Sequence, residues 1–298
     1  MIPHPCICVQ EQLTGPGCIP RAPNLNDFAD VLEVLAQRYA TVNRDAPEWV
    51  RGSMVAAGSK LRALRFMLRH SPPGGQPRLL DVGSQIGALP LYASRLGIRA
   101  AAVDNAEFAQ DCGSVLREYG VDYRVTDAGQ APLPFADESF DFVTYMDVIE
   151  HHAYSPKRVL IEARRVLARN GFLIITTPNH ASLYNRLLLL CGESVQDPFH
   201  HFFEGCAGHA VYLGHHREYT RKELRRALES TSFRVRECAA TDEGIRPLMH
   251  VLRRDAVHGW CSAIRRRGKS VAAESLGSLW NALFLPFGRV LWAVGQKT

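Results

Sequence analysis

The residues best suited to chemistry lie at the ends of apolar runs. Asp81-Val82-Gly83-Ser84-Gln85-Ile86-Gly87 follows the buried-strand signal that begins at Arg78 and precedes a helix-like pattern carrying Leu89, Leu91, Tyr92 and Leu96. Glycines at such a bend let the backbone approach a ligand closely. The Gly-x-Gly-x-x-Gly spacing of a dinucleotide site is absent, and Asp81 would repel a pyrophosphate, so the bend suits a ligand that carries positive charge. Asp104, with Asn105 beside it, ends the next run 21 residues after Gly83, close to the spacing of an acid that accepts from both hydroxyls of a ribose. Asp127, followed by Ala128, ends a third run and is placed to accept from an exocyclic amine.

A second constellation follows the fourth run. Asp147, Glu150 and His151 stand at i, i+3 and i+4, so a helical turn starting there would point all three to one side. Carboxylate and imidazole together suit Mg²⁺, Mn²⁺, Zn²⁺ or Fe²⁺, and such an ion lowers the pKa of a bound hydroxyl. His215 or His216 would complete the set, giving Asp147, Glu150, His151 and His215 as candidate metal ligands. Without an ion, Glu150 and His151 would shape the pocket and hydrogen-bond locally. Imidazole is then the natural proton acceptor for an oxygen nucleophile, which makes His151, Glu150, His215 and His216 the candidate catalytic groups. Tyr145 and Tyr219 suit either the acceptor site or the core.

These residues need a scaffold that aligns strand ends. Strand-length and helix-length segments alternate through Ile98 to Asp104, Phe108 to Tyr119, Val121 to Asp127, Phe140 to Asp147, Pro156 to Ala168 and Gly171 to Pro178. That rhythm implies right-handed crossovers and a mainly parallel sheet, with ligands beyond the carboxyl ends of its strands. Helical patterns at Asn24 to Ala40 and Trp49 to Arg69 precede it, and Ser71 to Gly75 makes the turn between. Later come a helix-like Leu183 to Leu190, a His-rich stretch with His200 and His201 that reads as a lid, a capping-box signal at Thr220-Arg221-Lys222-Glu223, a strand at Phe233 to Ala239, a basic helical stretch at Ile245 to Lys269, a further segment at Leu276 to Leu285, and a strand-like Val290 to Val294.

Composition narrows the class. The 298 residues are 46% apolar, enough for a sizeable core, and a net charge of +5 spread over 35 basic and 30 acidic side chains does not argue for a nucleic-acid partner. Eight cysteines lack zinc-site spacing and fit reduced thiols in the cytoplasm. Met1 to Leu13 lacks the features of a secretory signal, and the apolar stretch Leu279 to Val294 is interrupted by Asn281, Pro286 and Arg289, so no membrane span is expected. Arg253, Arg254, Arg265, Arg266, Arg267 and Lys269, with Trp260, Trp280 and Phe284 nearby, are suited either to a solvated helix face or to peripheral contact with an anionic bilayer.

From about Leu79 to Val235 the chain resembles a class I S-adenosylmethionine-dependent methyltransferase. The matching residues are the loop Asp81 to Gly87, Asp104, Asp127-Ala128 followed by Leu133 to Asp141, Val148 to His152, and Gly171 to Asn179. It is most similar to the ubiquinone-biosynthesis O-methyltransferase branch and its bacterial relatives that modify small molecules and glycans. The resemblance implies an α/β, Rossmann-like, seven-stranded and mostly parallel sheet with helices on both faces. Its seventh strand, at Arg289 to Gln296, would run antiparallel between the fifth and sixth. Residues 1–70 would form an N-terminal extension with helices, and 71–298 the methyltransferase domain, with lid insertions at about 180–214 and 245–286, the latter helical. S-adenosylmethionine, a sulfonium with an amino group, meets the charge requirement of the loop. Its contacts would be Asp81, Gly83, Ser84, Gly87, Asp104, Asn105, Asp127, Ala128 and Asp147. The Asp147, Glu150, His151 spacing resembles the metal-dependent subset, which includes enzymes that methylate the terminal 2′-hydroxyl of small RNAs; those families have a glutamate where Asp147 stands. Gln85 stands where the family has a middle glycine. The expected activity is methyl transfer to a hydroxyl, with amines second, on a small molecule or a glycan or lipid precursor. A non-catalytic binder and a metal-dependent RNA-terminal 2′-O-methyltransferase are the alternatives.

Overall fold

The computed structural model of the chain describes residues 22–39, 50, 52–54, 56–197, 203, 214–241 and 288–298. Two helices, α1 (Leu25–Tyr39) and α2 (Ala57–Arg69), come first. The central alternation follows as β1 (Arg78–Val82), α3 (Ala88–Arg95), β2 (Arg99–Asp104), α4 (Ala106–Glu118), β3 (Asp122–Val125), β4 (Phe140–Met146), α5 (Lys157–Val166) and β5 (Leu167–Pro178). The remaining elements are α6 (Leu183–Leu190), α7 (Arg221–Ser230), β6 (Phe233–Thr241) and β7 (Val290–Lys297).

The seven strands form one sheet in the order β3-β2-β1-β4-β5-β7-β6. Neighbours from β3 through β5 are parallel, whereas β7 lies antiparallel between β5 and β6. The α/β, mostly parallel architecture expected from the sequence is therefore present. Its three layers follow from strand periodicity, which sends successive side chains to opposite faces. Leu79 joins a core cluster with α1, α2 and α3 residues such as Phe28, Leu64 and Leu89, while Leu80 and Val82 join the other with Leu160, Leu224 and Leu228. On β7, Trp292 and Val294 face the first cluster and Leu291 and Ala293 the second.

One boundary differs from the sequence reading. The fifth strand starts at Leu167, directly after α5, rather than at Gly171, because Leu167 already pairs with Phe140 before the register shifts between Phe140 and Phe142. Asn170 takes a φ of 65° at this irregularity, and a Cβ on Gly171 would come within 2.9 Å of the Asp141 carbonyl oxygen. The Thr220 capping box is formed, with the threonine hydroxyl accepting from the Glu223 amide and the Glu223 carboxylate accepting from the Thr220 amide. The lid histidines His200 and His201, and the basic and aromatic segment from Ile245 to Pro286, lie outside the described residues. Among those described, no helix is long and apolar enough to cross a membrane.

The N-terminal helices brace the glycine loop. Buried Tyr39, at the end of α1, donates its hydroxyl proton to the Ile86 carbonyl at 3.0 Å, and the Asn24 amide donates to the Tyr92 hydroxyl at 3.1 Å. A buried carbonyl that loses its only described side-chain donor costs about 1–3 kcal/mol. Tyr39→Phe is accordingly expected to lower unfolding stability by about that amount in chemical denaturation, whereas an unchanged midpoint would show that Ile86 does not depend on the helix.

Candidate functional site

The loop between β1 and α3 reaches its shape through left-handed backbone at three of its positions: Gly83 at φ 74°, Gln85 at φ 48° and Gly87 at φ 72°. The glycines are required twice over, since a Cβ at Gly83 would fall 2.5 Å from a Val148 methyl and one at Gly87 2.4 Å from a Leu116 methyl. Gln85 keeps the backbone a glycine would adopt there, at the cost of strain. Its amide donates to Asp104 Oδ2 at 2.6 Å, and Asp104 Oδ1 accepts from the Asn105 amide at 2.8 Å. Asp104 is 8% exposed and thereby ties the end of β2 to the middle of the loop.

Asp81, 5% exposed at the end of β1, accepts from the Thr144 hydroxyl at 2.7 Å. Burial pushes its carboxyl up to about 7, against the pull of the Thr144 hydrogen bond and of the Lys60 ammonium. Asp127 holds the turn after β3, accepting from the Gly129 amide at 2.9 Å and from the Gln130 side chain at 2.7 Å, with Ala128 buried beside it. The Ser84 hydroxyl is buried within the loop and has no hydrogen-bond partner among the described residues. Such an orphan is costly unless a ligand satisfies it, and together with the flanking acids it fits a cationic nucleoside held by Asp81, Gly83, Ser84, Gly87, Asp104, Asn105, Asp127 and Ala128.

The second constellation is rearranged relative to the sequence expectation. Asp147 does not begin a helical turn. It takes a left-handed φ of 57°, and its Oδ1 accepts from the Thr176 hydroxyl at 2.9 Å, so the i, i+3, i+4 alignment with Glu150 and His151 is not made. A 3₁₀ turn at Ile149–His151 instead carries Glu150 and His151 toward His215. Ligand atoms of Glu150, His151 and His215 all lie within 4.8 Å of one another, and the two imidazoles meet edge to face with centroids 4.8 Å apart. Neither Asp147 nor His216 belongs to this group; His216 is exposed on the far side of His215 in sequence.

The group is held from several directions. Glu150, 1% exposed, accepts from the Thr177 hydroxyl at 3.0 Å, while its carbonyl accepts from the Arg217 amide. Burial and the Asp147 charge push its carboxyl up to about 8. His215 Nδ1 lies 3.3 Å from Glu218 Oε1, and its backbone amide donates to Asp197 at 2.8 Å. The Glu218 hydrogen bond raises the His215 pKa above its ordinary value despite burial. A parallel bridge from Asn179 to Tyr219, with the His180 amide donating to the Tyr219 carbonyl, fixes this stretch to the end of β5. Tyr145 and Tyr219 are both buried in the core, and the Tyr145 hydroxyl bonds the His152 ring.

Comparison with known proteins accords with this geometry. Residues 80–175, which contain the loop, Asp104, Asp127 and the Glu150-His151 turn, match the family described as a methyltransferase domain. Residues 80–175 thus match a methyltransferase domain, and they lie in the α/β, mostly parallel sheet described above. It is similar to a ubiquinone biosynthesis O-methyltransferase of Parvibaculum lavamentivorans, 35% identical over 121 residues covering 40% of this chain and 47% of that one. It is also similar to a norajmaline N-methyltransferase of Rauvolfia serpentina, 28% identical over 45% of this chain and 48% of the other. The chain thus spans about half the length of the curated relatives it matches. A solved S-adenosylmethionine-dependent methyltransferase of Mesorhizobium loti shares the fold, with TM-score 0.51 and 15% identity over 82% of this chain and all of that one.

Tyr39, which braces the glycine loop, gives no sequence signal. It comes from an N-terminal helix, where apolar spacing shows which face is buried but not which loop it covers. Gln85, by contrast, was visible as a departure, and its consequence is backbone strain. Gln85→Gly is expected to raise unfolding stability by about 1 kcal/mol while leaving nucleoside binding intact; a loss of stability in thermal melts would show that the glutamine side chain, rather than its backbone, supports the loop.

Proposed function

We propose that this chain is a cytoplasmic enzyme that transfers a methyl group from S-adenosylmethionine to a hydroxyl, with amines second, on a small molecule or a glycan or lipid precursor. The observation that carries this reading is the placement of two sites along one sheet edge. The glycine loop and Asp104 end β1 and β2, and Glu150, His151 and His215 gather beyond β4 and β5. S-adenosylmethionine supplies a methyl carbon on a positively charged sulfur that leaves as a neutral thioether. The protein's part is to align an acceptor with that carbon, exclude water and remove a proton.

An amine can attack in its neutral form, but a hydroxyl needs a proton acceptor as its bond to carbon forms. His215, oriented by Glu218 and facing His151, is built for that step. The presence of such a base favours oxygen over nitrogen. Similarity to both an O- and an N-methyltransferase is compatible with either acceptor. The unbroken loop backbone at Gln85 argues against the non-catalytic alternative.

A divalent ion at the same group is the second reading. One carboxylate and two imidazoles within 4.8 Å of one another suit Mg²⁺, Mn²⁺ or Zn²⁺, and an adjacent cation is what the buried Glu150 carboxyl needs to ionise at neutral pH. Glu150, His151 and His215 would be the ligands, and the ion would lower the pKa of the acceptor hydroxyl.

Both readings share a pH signature. Proton removal requires neutral His215, whose pKa is raised, and cation binding also requires ionised Glu150, whose pKa is about 8, so both strengthen as pH rises. Release of S-adenosylhomocysteine should be followed across a panel of phenols, sugars and amines. The account expects turnover to rise from pH 6.5 to 8.5, and His215→Ala to lower kcat by about 10²–10⁴-fold. Turnover abolished by chelator and restored by metal selects the second reading; unchanged turnover removes it, and a pH-independent rate removes the base.

A further inference from the structure

Six of the eight side chains of α6 are apolar, yet none of its residues is buried. Leu187 is 52% exposed, Leu189 56% and Leu190 82%. A helix that is apolar nearly all round belongs inside a core or against a lipid phase. Leu187 and Leu190 stand one turn apart on the same side. Exposed Arg186 on the same helix, and exposed Arg289, whose guanidinium lies 4.9 Å from the centre of the Tyr184 ring, place positive charge beside them.

The partner that suits this face is indicated by the chain that joins the sheet beside it. Thr241 and Pro178 both pair with Val290, and Asn179 donates to the carbonyls of Gly288 and Arg289, at 2.7 Å each. Residues 242–287 therefore begin and end within a few residues of the start of α6. From Arg246 to Lys269 that sequence carries seven basic side chains against one acid, Asp255, with Trp260 among them. Clustered basic residues interspersed with large aromatics are drawn to anionic headgroups, so whatever approaches this edge of the sheet is favoured if it is negatively charged and apolar beneath.

We propose that the leucine face of α6 docks on an anionic lipid bilayer. Leu187, Leu189 and Leu190 enter the boundary between headgroups and acyl chains, while Arg186 and Arg289 engage lipid phosphates. Short apolar contact and surface charge each give weak, reversible binding alone and hold a protein on a membrane together. The contact adjoins the reaction site. Asn185, in the first turn of α6, donates to Glu218 at 3.4 Å, and Glu218 holds His215. A docked bilayer thus lies beside the groups that would receive an acceptor.

The full chain is co-sedimented with vesicles of phosphatidylcholine alone and of phosphatidylcholine mixed with phosphatidylglycerol, without any nucleoside, so the outcome does not depend on the methyl-transfer reading. The unmodified protein is expected to bind the mixed vesicles in preference to the neutral ones. Raising salt from about 0.1 M to about 1 M, which shortens the screening length from about 10 Å to about 3 Å, should remove most of that binding. Leu187→Ser with Leu190→Ser in one chain is expected to weaken it about tenfold or more, through the lost burial of two apolar side chains, with the thermal midpoint unchanged. Absence of binding to the mixed vesicles, or equal binding by the double variant, overturns the proposal. A lowered midpoint in the double variant shows that another part of this chain covers the leucines, and a concentration-dependent dimer that the variant abolishes shows that a second copy does; either result overturns it as well.

Discussion

Everything at the cofactor end of this molecule depends on one buried carboxylate held by backbone. Asp104 uses both oxygens on amides, one in the glycine loop and one in its own strand end, and so converts a left-handed bend into a rigid seat. The bend would otherwise be disfavoured at Gln85, and the two flanking glycines leave no room for side chains because Val148 and Leu116 pack against them. Charge-assisted bonds from amides to a carboxylate are among the stronger contacts available inside a protein.

The rest of the site is a collection of acids under electrostatic tension. Asp81 and Glu150 are both pushed toward their neutral forms by burial, and each is held by one threonine hydroxyl, Thr144 or Thr177. Such groups are poised to change charge when a cation arrives, whether a sulfonium and ammonium at the loop or a metal at the histidine pair. The protein forgoes stability at these points, a pattern expected where binding requires unsatisfied groups.

Much of the scaffold could be read from apolar spacing, because strand and helix periods differ and the loop carries its glycines openly. Val290 to Val294 reads as a strand from its apolar pattern, but its antiparallel place between the fifth and sixth strands follows only from the resemblance, since register in a sheet depends on partners far away in the chain. At Asp147 the difference has a local reason: spacing alone suggests a helical turn, but a left-handed residue that bonds Thr176 on the neighbouring strand ends the alignment. His215 rather than His216 could be chosen only once the Asn179 to Tyr219 bridge fixed that segment. Tyr39 is invisible in the sequence because an amphipathic helix discloses its buried face, not its destination.

The central claim is that the Asp104-anchored bend holds a sulfonium nucleoside. Calorimetry with S-adenosylhomocysteine on the unmodified chain and on Asp104→Ala tests it most directly. The account predicts saturable binding by the former and a loss of about 2–5 kcal/mol, some 30-fold or more, in the latter. Equal affinity in the two proteins, or no uptake at millimolar nucleoside by the unmodified chain, would contradict it.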